Sequence, residues 1–223
     1  LLPALLFAYF AHPRPKEYLG LRQPQKPSHI ALCIAIILSA TPFLLYIGEL
    51  ISKIDLGPFK QTQDVNDRMI KAFLTMKSPM QFAVSFFVIA IVAGVGEELF
   101  FRGLLMRFSA KKSTFRYLPI YITAALFAMM HTNFSGMVSI FLAGVLLGYF
   151  YYLTGSVWCS IAAHVFYNGT QVVMIYFMGS DITDSQEMNI PLLVAIISLV
   201  VSALLFIILW QQRTPLASNW ATD

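Results

Sequence analysis

Near-continuous apolar runs recur along this chain, at residues 30–51, 80–106, 117–132, 138–153, 157–178 and 190–210, with a shorter one at 1–11. A helix needs about 20 mainly apolar residues to cross the hydrocarbon core of a bilayer. Several of the runs reach that length, and most connections between them are short. Only 12% of the residues are charged and 58% are hydrophobic, whereas soluble domains carry roughly 25% charged residues. A soluble fold of 223 residues could not hide that much apolar surface. The predicted fold class is all-α: a polytopic transmembrane helix bundle with about seven spans, the first of them partial. The chain opens inside an apolar run and without Met, which predicts at least one further helix upstream and about eight spans in the full protein. No basic segment precedes the 1–11 run, so it does not read as a signal peptide. With no repeat and no low-complexity stretch, residues 1–223 read as one integral membrane domain.

The connections carry the charge. Pro13, Pro15, Pro24 and Pro27 break any helix between the first two runs. His12 and His29 flank that loop and read as solvated surface residues. The longest connection, 55–79, mixes Asp64, Asp67, Arg68, Lys71 and Lys77; it fits an amphipathic surface helix or a plain solvated loop. Counting spans puts the 12–29 loop (Arg14, Lys16, Arg22, Lys26), the 107–116 loop (Arg107, Lys111, Lys112, Arg116) and the tail with Arg213 on one side. Segment 179–189 falls on the other side, with Asp181, Asp184 and Glu187 and no Lys or Arg. Cytoplasmic loops concentrate Lys and Arg, which predicts a cytoplasmic C-terminus.

The net charge of +4 is thus accounted for by membrane topology. The aromatic residues lie within the apolar runs, not between basic ones, so no nucleic-acid partner is expected. Cys33 and Cys159 both sit in apolar runs and read as packing residues. Two cysteines exclude a disulfide framework and are too few for a structural zinc site. Gly144 and Gly148 form a Gly-x-x-x-Gly, which permits close helix packing, read here as packing within the monomer.

Three apolar runs carry residues that do not belong in lipid. Gly96-Glu97-Glu98-Leu99-Phe100-Phe101-Arg102-Gly103 follows sixteen uncharged residues. A charge of this kind in mid-span costs roughly 2.5–3.5 kcal/mol on insertion scales and is tolerated when paired or facing a wet cavity. Glu98 and Arg102 are four apart, so they share a helix face and pair. Glu97 is rotated by about 100° and is left free to act as a base. The 117–132 run ends Phe127-Ala128-Met129-Met130-His131, and the 157–178 run contains His164-Val165-Phe166-Tyr167-Asn168, whose His and Asn again share a face. Glu97 and His131 are each seventeen residues from a turn near Thr114, which predicts equal depth. His164 is about nine residues from the turn near Gly155, too shallow to match without tilt or a re-entrant start.

A carboxylate, two imidazoles and an amide suit hydrolysis. Glu97 would take a proton from water and His131 would hold that water. His164 and Asn168 would donate to the oxyanion of a scissile amide. Alternatively, Glu97, His131 and His164 would bind a divalent metal such as zinc, with water in the fourth position. The His-Glu-x-x-His helix of ordinary zinc proteases is absent.

These residues resemble the motifs of the CPBP family, which includes type 2 CAAX prenyl proteases and bacteriocin-processing and abortive-infection relatives. The family pattern is Glu-Glu-x-x-x-Arg, Phe-x-x-x-His and His-x-x-x-Asn in successive apolar helices. Here it is matched in order by Glu97-Glu98-Leu99-Phe100-Phe101-Arg102, Phe127 to His131 and His164 to Asn168. The resemblance covers about 80–175 and implies an intramembrane endopeptidase. It implies catalytic roles for Glu97, His131, His164 and Asn168 and supporting roles for Glu98 and Arg102. It leaves open a metal-free glutamate mechanism and a metal-dependent one. It implies a membrane-associated peptide or protein as substrate and suits a bacterial cytoplasmic membrane. Two other readings use the same residues: a proton-coupled transporter, and a non-catalytic immunity or scaffold protein on the same fold.

Overall fold

The computed structural model describes residues 1–54, 57–179, 189–217 and 220–221, and all regular structure among them is helical. The order is α1 (Leu2–Ala11), a short α2 (Pro15–Tyr18), α3 (Ser28–Ser52), α4 (Lys60–Leu74), α5 (Pro79–Lys111), α6 (Leu118–Met130), α7 (Met137–Thr154), α8 (Val157–Met178) and α9 (Leu192–Gln211). Of these, α3, α5, α7 and α9 are long and apolar enough to cross a membrane. In α9 the most apolar stretch has a mean hydropathy of 3.2, yet only 22% of it is buried within the protein. Its exposed face is Leu193, Ile196, Ile197, Val200, Val201, Leu204 and Ile208. A face so apolar and so open is solvated by lipid, and the protein is integral to a membrane. Helix α8 is long enough as well, but His164, Asn168 and Gln171 lower its apolarity; α6 is apolar but short.

Close approach between helices comes from small residues. A Cβ at Gly148 would lie 2.7 Å from Ile120 Cγ2, and one at Gly144 would lie 3.2 Å from Ala124, so the Gly-x-x-x-Gly seats α7 on α6 within the chain. Polar side chains mend the backbone where it breaks. Pro42 interrupts α3, where a helix loses a backbone hydrogen bond and kinks. There Phe43 N–H donates to Ser198 Oγ (3.1 Å), and that hydroxyl donates to Ser39 O (2.6 Å). The α9 serine is thus spliced into the i→i−4 ladder of α3. Cys33 and Cys159 are buried and free.

The basic end of the bundle is built from the connections. Val157 N–H donates to Gly20 O, and the tail returns so that Thr214 N–H donates to Leu153 O and Leu216 N–H to Tyr152 O. Arg107 lies over the Tyr18 ring at 4.4 Å and near Trp220 at 5.6 Å. The α7–α8 turn is therefore covered by residues 19–22 and 214–217 and by Trp220. Leu153, Ser156 and Val157 are fully buried. Gly20, at φ +72°, passes so close to Tyr151 that a Cβ would fall 2.5 Å from its hydroxyl.

One expectation about the connections changes, and one open alternative is decided. His29 is not a solvated surface residue: it is fully buried, with Nε2 3.2 Å from Gln212 O. The carbonyls left unpaired where α9 ends attract it, and Lys26 Nζ donates to the same oxygen at 3.2 Å. Residues 60–74 of the longest connection form a helix, with Val65, Met69 and Ile70 exposed and Gln63 and Leu74 buried. Asp181, Asp184 and Glu187 lie outside the described residues.

Candidate active site

Helix α5 is unusual where the charges lie. An α-helical turn, Gly94–Glu98, is flanked by two stretches of wide i→i+5 turns, Phe86–Ala93 and Leu99–Leu105. Wide turns of this kind recur at functional sites. Glu98 and Arg102 point into the bundle and are fully buried, with Arg102 Nη1 2.7 Å from Glu98 Oε1. Arg102 Nη2 donates to Gly144 O at 2.8 Å. The guanidinium faces the Phe127 ring at 5.0 Å and the Phe101 ring at 6.0 Å. Buried charge survives only when paired and hydrogen-bonded, and here α5, α6 and α7 all contribute to that pairing.

The same carboxylate reaches α8, with His164 Nδ1 3.1 Å from Glu98 Oε1. A carboxylate accepts, so Nδ1 carries the hydrogen and Nε2 is directed elsewhere. It faces Glu97, with Nε2 3.7 Å from Oε2. His131 completes the cluster from just past the end of α6: its Nδ1 donates to Phe127 O at 2.7 Å, and its Nε2 is 3.9 Å from the same Glu97 oxygen. That oxygen is buried and has no hydrogen-bond partner. Separations of 3.7–3.9 Å suit a bridging water better than a direct hydrogen bond. The side chains of Glu97 and His131 are 32% and 33% exposed, while His164 is 5% exposed and the Glu98–Arg102 pair is sealed. The cluster thus has a reachable pair in front and a closed support behind.

Five of the six singled-out residues lie in one cluster, each within 4 Å of another. The sixth, Asn168, lies one turn beyond His164 and donates from Nδ2 to Ile89 O at 3.1 Å, in the wide-turn stretch of α5. Its second N–H is not used in that bond. The depth of His164, which turn counting could not fit, follows from the buried α7–α8 turn. Because loop and tail overlie that turn, α8 starts below the surface of the bundle, and nine residues suffice.

The carboxylate and two imidazoles are donors of the zinc type. Among the described residues, however, no three His, Cys, Asp or Glu side chains converge as a metal-ligand set. As arranged, the cluster does not fit a metal, and no step is routed through one. Two contributors act in ways the sequence did not signal. Gly144 reads as a packing glycine, while its carbonyl is a ligand of Arg102. The Phe127 ring packs against His131 (4.4 Å), His164 (5.7 Å) and Arg102 together.

Residues 79–170 match the family model described as type II CAAX prenyl endopeptidase Rce1-like. Neither the curated proteins nor the solved structures gave a match to the chain. The matched segment runs from the start of α5 through Asn168 and holds all three motifs in order. Over this segment, which is less than half of the chain, the protein is similar to the CAAX-protease family of membrane peptidases.

Proposed function

We propose that the chain is an intramembrane endopeptidase that hydrolyses a peptide bond of a membrane-associated protein or peptide with a water activated by Glu97. The observation that carries this reading is an unpartnered, buried oxygen, Glu97 Oε2, with the Nε2 atoms of two histidines directed at it, one from α8 and one from just past the end of α6. A water there donates one hydrogen to Glu97. The Nδ1–H of His131 is spent on Phe127 O, so its Nε2 accepts the second hydrogen and orients the water.

Glu97 takes the proton as the water oxygen bonds to the scissile carbonyl carbon, and the carbonyl becomes an oxyanion. His164, held from behind by Glu98, donates from Nε2 to that oxyanion. Asn168 offers its remaining N–H. Glu97 then gives its proton to the amide nitrogen, the C–N bond breaks, and a carboxylic acid and an amine leave. Glu98 and Arg102 stay ionised throughout and hold His164 in place. General acid–base catalysis of this kind contributes about 10²–10⁴-fold, and a donor to the oxyanion about 10²–10³-fold.

In this proposal residues 1–223 act as one membrane domain with a catalytic core at about 80–175. The basic end formed by the 12–29 loop, the 107–116 loop and the tail faces the cytoplasm of a bacterial cell, in keeping with its Lys and Arg. The experiment is turnover of a fluorogenic peptide by purified protein in lipid nanodiscs, compared with Glu97→Gln. Equal rates would remove the peptidase reading. Proton-coupled uptake lost in the same variant would favour a transporter instead.

A further inference from the structure

Helix α6 has 13 residues, about 20 Å of rise, so it is about 10 Å shorter than the hydrocarbon core. The segment that follows, residues 131–136, is non-helical and begins with His131. Thr132 is in the left-handed region at φ +49°, a conformation that a β-branched residue keeps only when its surroundings hold it. Peptide groups outside a helix at membrane depth need partners from the protein.

Those partners come from α4, through one buried side chain. Gln63 is 6% exposed although it lies on a surface helix. Its Oε1 accepts from Phe134 N (2.7 Å) and, more weakly, from Ser135 N (3.4 Å). Its Nε2 donates to Asp67 Oδ1 (2.7 Å) and Asn133 Oδ1 (3.3 Å), and Asn133 Oδ1 in turn accepts from Gly136 N (2.8 Å). One amide thus clasps three of the six residues from His131 to Gly136. Around it, Phe59 packs on Phe134 with ring centroids 4.7 Å apart, and Leu74 packs with Val172 and Ile175 of α8.

We propose that Gln63 is a positioning residue for His131, fixing from α4 the loop that sets the depth and direction of the His131 ring. The proposal rests on the peptidase reading only for its effect on rate; the clasp itself is a structural claim. Gln63 touches neither Glu97 nor His164, so its loss misplaces the water-holding imidazole and leaves the rest of the site intact. The signature is a fall in kcat with little change in KM.

The test compares Gln63→Ala, Gln63→Glu and the double variant Gln63→Glu, Asp67→Asn, each in nanodiscs. The single glutamate keeps the acceptor for Phe134 but sets a carboxylate against Asp67. The double variant restores that bond with donor and acceptor exchanged and keeps the net charge. The readouts are peptide turnover and hydrogen–deuterium exchange over residues 131–136. Both single variants are expected to exchange faster there and to lose about 10- to 100-fold in kcat, with KM within about twofold. The double variant is expected to recover most of both. Parent-like kcat and exchange in Gln63→Ala would overturn the proposal. So would a double variant no better than Gln63→Glu, or a loss matched by faster exchange throughout the bundle. If Glu97→Gln is as active as the parent, the peptidase reading fails, and the exchange measurements alone decide the clasp.

Discussion

Replacing Arg102 with methionine is expected to destabilise the fold by several kcal/mol, while adding Glu98→Gln to that variant returns part of the loss. Both side chains are fully buried, with Nη1 and Oε1 2.7 Å apart. At an effective dielectric near 20, unit charges at this distance attract by about 6 kcal/mol, much of which desolvation offsets. The net worth of the pair is therefore modest, but removing one member is a different perturbation. Arg102→Met leaves the Glu98 charge buried without its cation, with His164 and Ser160 as remaining partners, at a cost of about 3–5 kcal/mol. It also leaves Gly144 O without its 2.8 Å donor, worth a further 1–3 kcal/mol or so. Glu98→Gln in the same chain removes the stranded charge and keeps an oxygen that accepts from His164 Nδ1. The two substitutions should then be non-additive by at least about 2 kcal/mol. The assay is unfolding in mixed micelles with increasing SDS, followed by tryptophan fluorescence, for the parent, both single variants and the double. Additivity within about 0.5 kcal/mol would refute the pairing and the division of labour between Glu97 and Glu98.

Three further outcomes follow from contacts already described. Ser198→Ala removes the hydroxyl spliced into α3 at Pro42 and should cost about 1–3 kcal/mol by leaving Phe43 N–H and Ser39 O unpaired, measured in the same SDS titration; a change within about 0.3 kcal/mol would contradict the splice. Gly148→Ala forces a methyl against Ile120 Cγ2 at 2.7 Å and should destabilise by about 1–3 kcal/mol, with Gly155→Ala as a separate comparison for backbone strain at φ +68°. Chelation with a zinc chelator, followed by turnover, should leave kcat within about twofold; a loss restored by added zinc would move Glu97, His131 and His164 from base and water holders to ligands.

Much of this architecture was legible because lipid makes the rules strict. The six long apolar runs fall within a few residues of α3 and α5 to α9, since each has to satisfy its own backbone. Ionisable residues in those runs marked a candidate site because their cost in lipid demands partners, and four-residue spacing paired Glu98 with Arg102 as found. What stayed hidden depends on tertiary contacts without local sequence signals. The burial of the α7–α8 turn, which sets the depth of His164, comes from Gly20 and Thr214, both remote in the chain. His29 looked like a loop residue, and only the end of α9 makes it a buried one. Residues 60–74 were balanced between helix and loop, and Gln63 among them carried no mark of its bonds to the 131–136 loop.

The central claim is that Glu97 activates the water. The most direct measurement is single-turnover cleavage of a membrane-anchored peptide by the purified chain in nanodiscs, set against Glu97→Gln, which keeps size and hydrogen bonding but cannot take a proton. The account predicts a loss of about 10²–10⁴-fold in the chemical step, with an unchanged SDS unfolding midpoint. A variant that cleaves at the parent rate while folded would contradict it.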